Sequence, residues 1–194
     1  TFRMDGHPIH LNSPAQAVAN HIAYVPPDRH RQGIIRQLSI RFNLTLAVVR
    51  RLCRRGFVRR QAEQALVDEY IEKLRIKCAG DAQKVTFLSG GNQQKVVIAK
   101  WLATKPSLLI LNDPTRGVDV GAKAEIYALI SELACAGMAI IITSSEISEI
   151  LGMSDRILVL NEGIVSREFL RGQADQKSLL SAALVRADAP QGGL

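Results

Sequence analysis

Residues 88–95 read LSGGNQQK and run straight into a stretch, 92–103, whose pattern is that of an amphipathic helix. Ser89 brings a hydroxyl, and Gly90 and Gly91 leave backbone N–H groups unhindered. They stand at a helix N-terminus, whose orphan donors and dipole favour an anion such as a phosphate. The same residues also suit a plain helix cap, since serine before a glycine turn starts helices in many folds. The strand that follows favours the first reading. Residues 107–111, SLLIL, are continuously apolar and end in Asn112, Asp113, Pro114 and Thr115, with RGVDVGAK after them over 116–123. A hydrophobic strand that ends in polar side chains is how an α/β protein presents groups to a ligand at the carboxyl edge of its sheet. As a plain strand-to-helix loop, the same segment would have Pro114 as its stop and Asp119 as a helix cap.

Outward from this pair of loops, strands and helices alternate. A helix is predicted near 122–136, with Ile126, Leu129, Ile130 and Leu133 on one side, and a strand over 139–143. Two further strands, 156–160 and 164–169, are joined by Asn161-Glu162-Gly163, the turn chemistry of an antiparallel edge hairpin. Apolar strands separated by amphipathic helices imply a mostly parallel sheet covered on both faces, an α/β fold. Upstream, residues 1–26 read as short strands and turns, the tail of a β-rich subdomain. Asp5-Gly6 is its hairpin signal, and its strand 22–25 stops at Pro26-Pro27. Between them, residues 40–78 turn helical, with Leu66, Val67, Tyr70, Ile71 and Leu74 as an apolar stripe. The tail 188–194, with Pro190, Gly192 and Gly193, reads as disordered.

Composition narrows the class. The 194 residues are 47% apolar and 22% charged, as in a globular domain, and no apolar run approaches the twenty or so residues a bilayer helix needs. Cys53, Cys78 and Cys135 are odd in number and lack CxxC spacing, so neither disulfides nor zinc are expected. His7 and His10 have no third ligand at metal spacing, and no metal site is assigned. The net charge of +7 suits anionic partners. Arg50, Arg51, Arg54, Arg55, Arg59 and Arg60 recur at about helical spacing, which places most of them on one helix face, either solvated or near acidic lipid headgroups.

The segment 88–169 resembles the nucleotide-binding domains of ABC transporters, and LSGGNQQK with PTRGVDVGAK is especially similar to the ATPases of ribose, galactose and xylose importers. The resemblance implies a P-loop NTPase-like ABC ATPase domain over 1–187, N-terminally truncated, with a helical subdomain at about 40–84 and the signature motif following at 88–95. It most resembles the second of two tandem domains. It implies ATP and Mg2+ as cofactors, and Ser89, Gly90, Gly91, Gln93 and Asp119 as nucleotide-binding residues. Asn112 and Asp113 fall where the Walker B aspartate and the catalytic glutamate are expected, residues 117–119 match the D-loop, and Ser145 stands at the switch-histidine position. Pro27, in the tract YVPPDR over 24–29, occupies the place of a Gln or Glu. Implied partners are transmembrane permease subunits, a facing nucleotide-binding domain and, indirectly, a periplasmic sugar-binding protein, with no nucleic acid; the implied location is the cytoplasmic face of the bacterial inner membrane.

Departures from that pattern carry chemistry. Asn112 offers a neutral amide oxygen where a carboxylate would hold a magnesium-bound water. Asp113 keeps the carboxylate that orients an attacking water but is one methylene shorter than glutamate. Ser145 hydrogen-bonds phosphate without an imidazole's charge. The sequence contains no GxxxxGK followed by Ser or Thr, the loop that cradles phosphates. The expected function is therefore an ATPase, Asp113 and Ser145 being its candidate catalytic residues, that couples ATP to monosaccharide import. The alternatives are a non-hydrolysing regulatory half and an ABC ATPase acting on nucleic acid or the ribosome.

Overall fold

The computed structural model describes residues 2–4 and 6–184. Strands β1 (Phe2–Met4) and β2 (His7–Ile9) pair antiparallel with Met4 opposite His7, so Asp5-Gly6 falls at the turn as expected; Asp5 itself lies outside the described residues, as does the tail 188–194. Residues 14–19 differ from the expectation of strands and turns. They form helix α1 (Pro14–Ala19), capped by the Ser13 hydroxyl accepting from the Gln16 N–H, with Pro14 at the first turn, where its missing N–H costs nothing. Strand β3 (Ile22–Val25) ends at Pro26 as expected.

The helical region comprises α2 (Ile40–Thr45), α3 (Val49–Leu52) and α4 (Arg60–Lys73), interrupted by a two-stranded hairpin of β4 (Cys53–Arg54) and β5 (Phe57–Val58). The hairpin corrects the placing of the six arginines on one helix face. Arg50 and Arg51 lie in α3, Arg54 and Arg55 in the hairpin, Arg59 at the start of α4 and Arg60 in its first turn. The physical reason is Gly56, which turns at φ 85° beside Arg55 at φ 51° and so breaks the helical repeat. Holding Arg55 left-handed costs roughly 1 kcal/mol, against nothing for glycine.

Helix α5 (Gly90–Leu102), strand β6 (Leu108–Asn112), helix α6 (Val120–Cys135) and strand β7 (Ala139–Thr143) follow. Strands β3 and β6 pair in parallel, with Ile22 opposite Leu108 and Val25 opposite Leu111, in a sheet ordered β3-β6-β7. The core is built on α5, which packs against β3, α2 and α6 and buries Val96, Val97, Ile98 and Ala99. Ala23, Val25, Leu109 and Leu111 bury the matching face of the sheet, and Ile126, Leu129, Ile130 and Leu133 the inner side of α6. Tyr24 and Ile141 are exposed, and β6 alternates between buried and half-buried residues.

The two buried lysines of this core are both hydrogen-bonded. Lys100 is buried and donates to the Gly33 carbonyl, and burial pushes its pKa below the ordinary lysine value. Lys95, also buried, bridges the Arg75 carbonyl (3.2 Å) and Glu125 (2.7 Å). The hydrogen bond from Lys95, with that from Lys77, holds the Glu125 carboxyl below its usual range.

The chain divides into two compact units, Thr1–Ile141 and Ile142–Leu194. Within the second, α7 (Ile147–Met153), strands β8 (Arg156–Asn161) and β9 (Ile164–Leu170) and helix α8 (Gln176–Leu184) gather around Ile157, Phe169, Leu179 and Ala182. The expected hairpin is present, turning through Glu162 and Gly163, both at positive φ, with Asn161 opposite Ile164. Helices α7 and α8 are not apparent in the apolar periodicity of so few turns; Asp175 and Ser178 cap α8 reciprocally at 2.7 and 2.9 Å.

Candidate functional site

The serine–glycine turn is built where the short helical turn 85–87 meets α5. Ser89 is its N-cap, accepting from the backbone N–H of Asn92 at 3.5 Å and from the Asn92 side-chain amide at 2.9 Å. Both bonds use the hydroxyl oxygen as acceptor, which leaves its O–H available to donate. Ser89 is exposed and Gly90 half-buried, so hydroxyl and first-turn amides present themselves together at the helix end.

The two glycines answer to different neighbours. A Cβ on Gly91 would lie 2.4 Å from the Ala122 Cβ, so Gly91 exists to let α5 cross against the start of α6. A Cβ on Gly90 would meet the Arg29 guanidinium at 3.0 Å and the Gly117 carbonyl at 3.2 Å. Gly90 therefore lets the loop after β6 approach the serine–glycine turn. Gln93 points the other way. It is buried, and its amide donates to the carbonyls of Leu88 (3.0 Å) and Val85 (3.3 Å), which fixes the entry into the turn from within.

Arg29 joins these pieces. It begins a π-helical turn, Arg29–Gly33, that Asp28 caps by accepting from His30 and Arg31 at 3.0 and 3.1 Å. Its side chain is buried; Nη1 donates to the Arg116 carbonyl at 2.6 Å and Nη2 to the Gly117 carbonyl at 2.9 Å. Burial lowers its pKa and Asp28 partly opposes that, but a guanidinium stays charged. One buried cation thus fixes the 116–117 backbone beside Gly90. Sequence reasoning located the tract YVPPDR but not this task, since nothing in the spacing links Arg29 to a loop eighty-seven residues away.

At the carboxyl end of β6, Asn112 is half-buried and its amide donates to the Tyr24 hydroxyl at 3.2 Å. Asp113 follows at φ 45°, left-handed backbone that aspartate tolerates better than most residues, and its carbonyl accepts from the Arg116 N–H at 3.1 Å to close a turn. Asp119 caps α6, accepting from the Ala122 N–H at 2.9 Å, which the sequence also allowed. Ser89, Asp113 and Asp119, in loops, and Gly90, at the head of α5, thus all belong to the first unit. Ser145 lies in the second unit, exposed, just past β7. Its neighbour Ser144 donates to buried Glu149 at 2.5 Å and accepts from the Glu146 N–H at 2.9 Å.

For a magnesium ion the turn directly after β6 offers one carboxylate, that of Asp113. Asn112 is neutral, and among the described residues no three Asp, Glu, His or Cys side chains gather at ligand distances. The Ser89 hydroxyl and the amides at the head of α5 are groups of the kind that can hold an anion.

A parallel β3–β6 pair, a helix headed by a serine–glycine turn and polar groups at the strand's carboxyl edge make up the candidate site. Solved ATP-binding cassettes share the fold: one in a post-hydrolysis state with ADP and Pi superposes with a TM-score of 0.67 at 23% identity, covering 82% of this chain and 68% of its own. Another, from Clostridium perfringens and part of an ABC transporter complex, gives 0.69 at 25% identity, covering 86% and 64%. The sequence model of the ABC transporter family matches residues 1–116, and the chain belongs to that family. It is 48% identical over 183 residues to the ribose import ATP-binding protein of Jannaschia sp. (strain CCS1), covering 94% of this chain and 36% of the relative. It is also 48% identical over 181 residues to the xylose import ATP-binding protein of Burkholderia cenocepacia (strain HI2424), covering 93% and 35%. The chain thus spans about a third of the length of the curated relatives it matches.

Proposed function

We propose that this chain supplies the signature half of a composite ATP site in a monosaccharide importer, coupling ATP binding and hydrolysis to uptake. The observation that carries the proposal is the exposed Ser89 cap, with Gly90 held against the Gly117 carbonyl by Arg29. Substrate class rests on the ribose and xylose import relatives. On this reading the partners are a facing nucleotide-binding domain, transmembrane permease subunits and, through them, a periplasmic sugar-binding protein. The place of work is the cytoplasmic face of the inner membrane, and no nucleic acid is involved.

The chemistry assigned to the chain is electrostatic. The Ser89 O–H and the N–H groups of Gly90 and Gly91 clamp terminal phosphate oxygens of ATP bound by the facing domain, where charge spreads as water attacks in line. Within the first unit, Asp113 is assigned to orient an attacking water and take its proton on a nucleotide held by its own domain, and Asp119 fixes the loop by capping α6. On this reading Mg2+ travels with the nucleotide phosphates and is held mainly by the domain that binds them.

Asn112 in place of an acid favours a second reading, a nucleotide-binding half that turns over little itself. Asp113→Asn distinguishes the two, because asparagine keeps the left-handed backbone and removes only the carboxylate. In the complete polypeptide, turnover is expected to fall about 100-fold or more on the leading reading, since a positioned base contributes at least that factor. Unchanged turnover would establish the regulatory half.

A further inference from the structure

The chain carries almost all of its net charge of +7 in one place. Of the eleven residues 50–60, six are arginine and none is acidic. All six arginines are exposed, and among the described residues none forms an ion pair. Arg51 is anchored on the Ala103 carbonyl and Arg59 reaches the Arg51 carbonyl at 3.5 Å, whereas Arg50, Arg54, Arg55 and Arg60 make no side-chain hydrogen bond among the described residues.

Two further observations separate this hairpin from an ordinary solvated face. Phe57, 80% exposed, is the cross-strand partner of Arg54, and opposed residues of an antiparallel pair project to the same side. An aromatic ring is thus set bare among the cations, beside Val58, 38% exposed. Arg55 also sits at φ 51° in a turn where asparagine or glycine would fit without strain. Solvation requires neither feature. Cations around an apolar ring suit a surface that offers phosphates above and hydrocarbon below. A nucleic acid is a poorer match, because a single aromatic side chain gives no row of stacking platforms.

We propose that the hairpin at 50–60 is a membrane-contact element: its arginines bind the anionic headgroups of a lipid bilayer and Phe57 seats among them. The proposal does not depend on hydrolysis, so it stands or falls apart from the ATP reading.

The test is flotation of the 194-residue protein with vesicles of phosphatidylglycerol and phosphatidylcholine, against pure phosphatidylcholine vesicles. Binding is expected only to the anionic vesicles and to weaken as salt rises. Each arginine near an anionic surface contributes about a fivefold factor, so Arg54→Gln with Arg55→Gln should weaken binding about thirtyfold. Phe57→Ser should weaken it several-fold on both counts of area and depth. Arg55→Asn should raise the melting temperature while still losing about fivefold in binding, which a purely structural role would not produce. As a charge-matched control, the exposed pair Arg31→Gln with Arg36→Gln should leave binding within about twofold of the parent, lying outside the hairpin. Equal binding to both vesicle types, equal loss in the control, or tighter binding to single-stranded RNA than to anionic vesicles would overturn the proposal.

Discussion

Replacing Gly91 by alanine is expected to cost about 3 kcal/mol of stability, the upper end of the usual penalty for overpacking a close contact. Helix propensity alone gives the opposite sign, since alanine in place of glycine should gain up to about 1 kcal/mol. Packing wins because the added Cβ would stand 2.4 Å from the Ala122 Cβ, an atom rooted in the backbone of α6 that cannot rotate away. One helix must move, and with it the turn that carries Ser89. For a domain of this size the loss corresponds to a melting temperature lower by roughly 6–12 °C. Ala122→Gly should recover much of it in the double variant, because it removes the atom that clashes. Thermal melts of both singles and the double measure the coupling; a neutral Gly91→Ala, or a double no better than it, would show that the α5–α6 crossing does not set the position.

Arg29→Met is expected to lower ATP turnover of the complete polypeptide about 100-fold, the effect of about 1 Å of misplacement in a catalytic geometry. Methionine approximates the volume of the arginine stem but cannot hold the Arg116 and Gly117 carbonyls, so the 116–117 backbone loses both of its guanidinium bonds. Arg29→Lys should fall between, since an ammonium on a flexible stem does not reproduce the planar fork. Amide exchange at Gly117 and Val118 should speed up in Arg29→Met whether or not ATP is present. Parent-like exchange and turnover together would mean that Arg29 merely fills space.

These two residues also mark what the sequence revealed and what it withheld. The serine–glycine turn and the strand ending in Asn112 and Asp113 were legible because both are local: a cap residue before a helical pattern, and an apolar run closed by polar side chains. The parallel strands and the β8–β9 hairpin were legible for the same reason. Gly91 was visible as a glycine, but its function lies in Ala122 of another helix, and that crossing is a tertiary fact. Arg29 was hidden more deeply still, because one residue's bond to a distant carbonyl leaves no periodicity behind. The six arginines recur at helical spacing, but the repeat stops at Gly56, where the chain turns back on itself. Helix α1 was signalled by Ser13-Pro14 ahead of Gln16, but at six residues it is too short to show an apolar stripe.

The most direct measurement of the central claim, that this chain contributes half of a composite site, is Mg-ATP turnover by the 194-residue protein alone and by a polypeptide extended upstream to include a GxxxxGK loop with its Ser or Thr. The account predicts turnover only in the extended form, and its loss there when Ser89 is replaced by arginine at the head of α5. Turnover by the 194 residues alone at the rate of the extended form would contradict it.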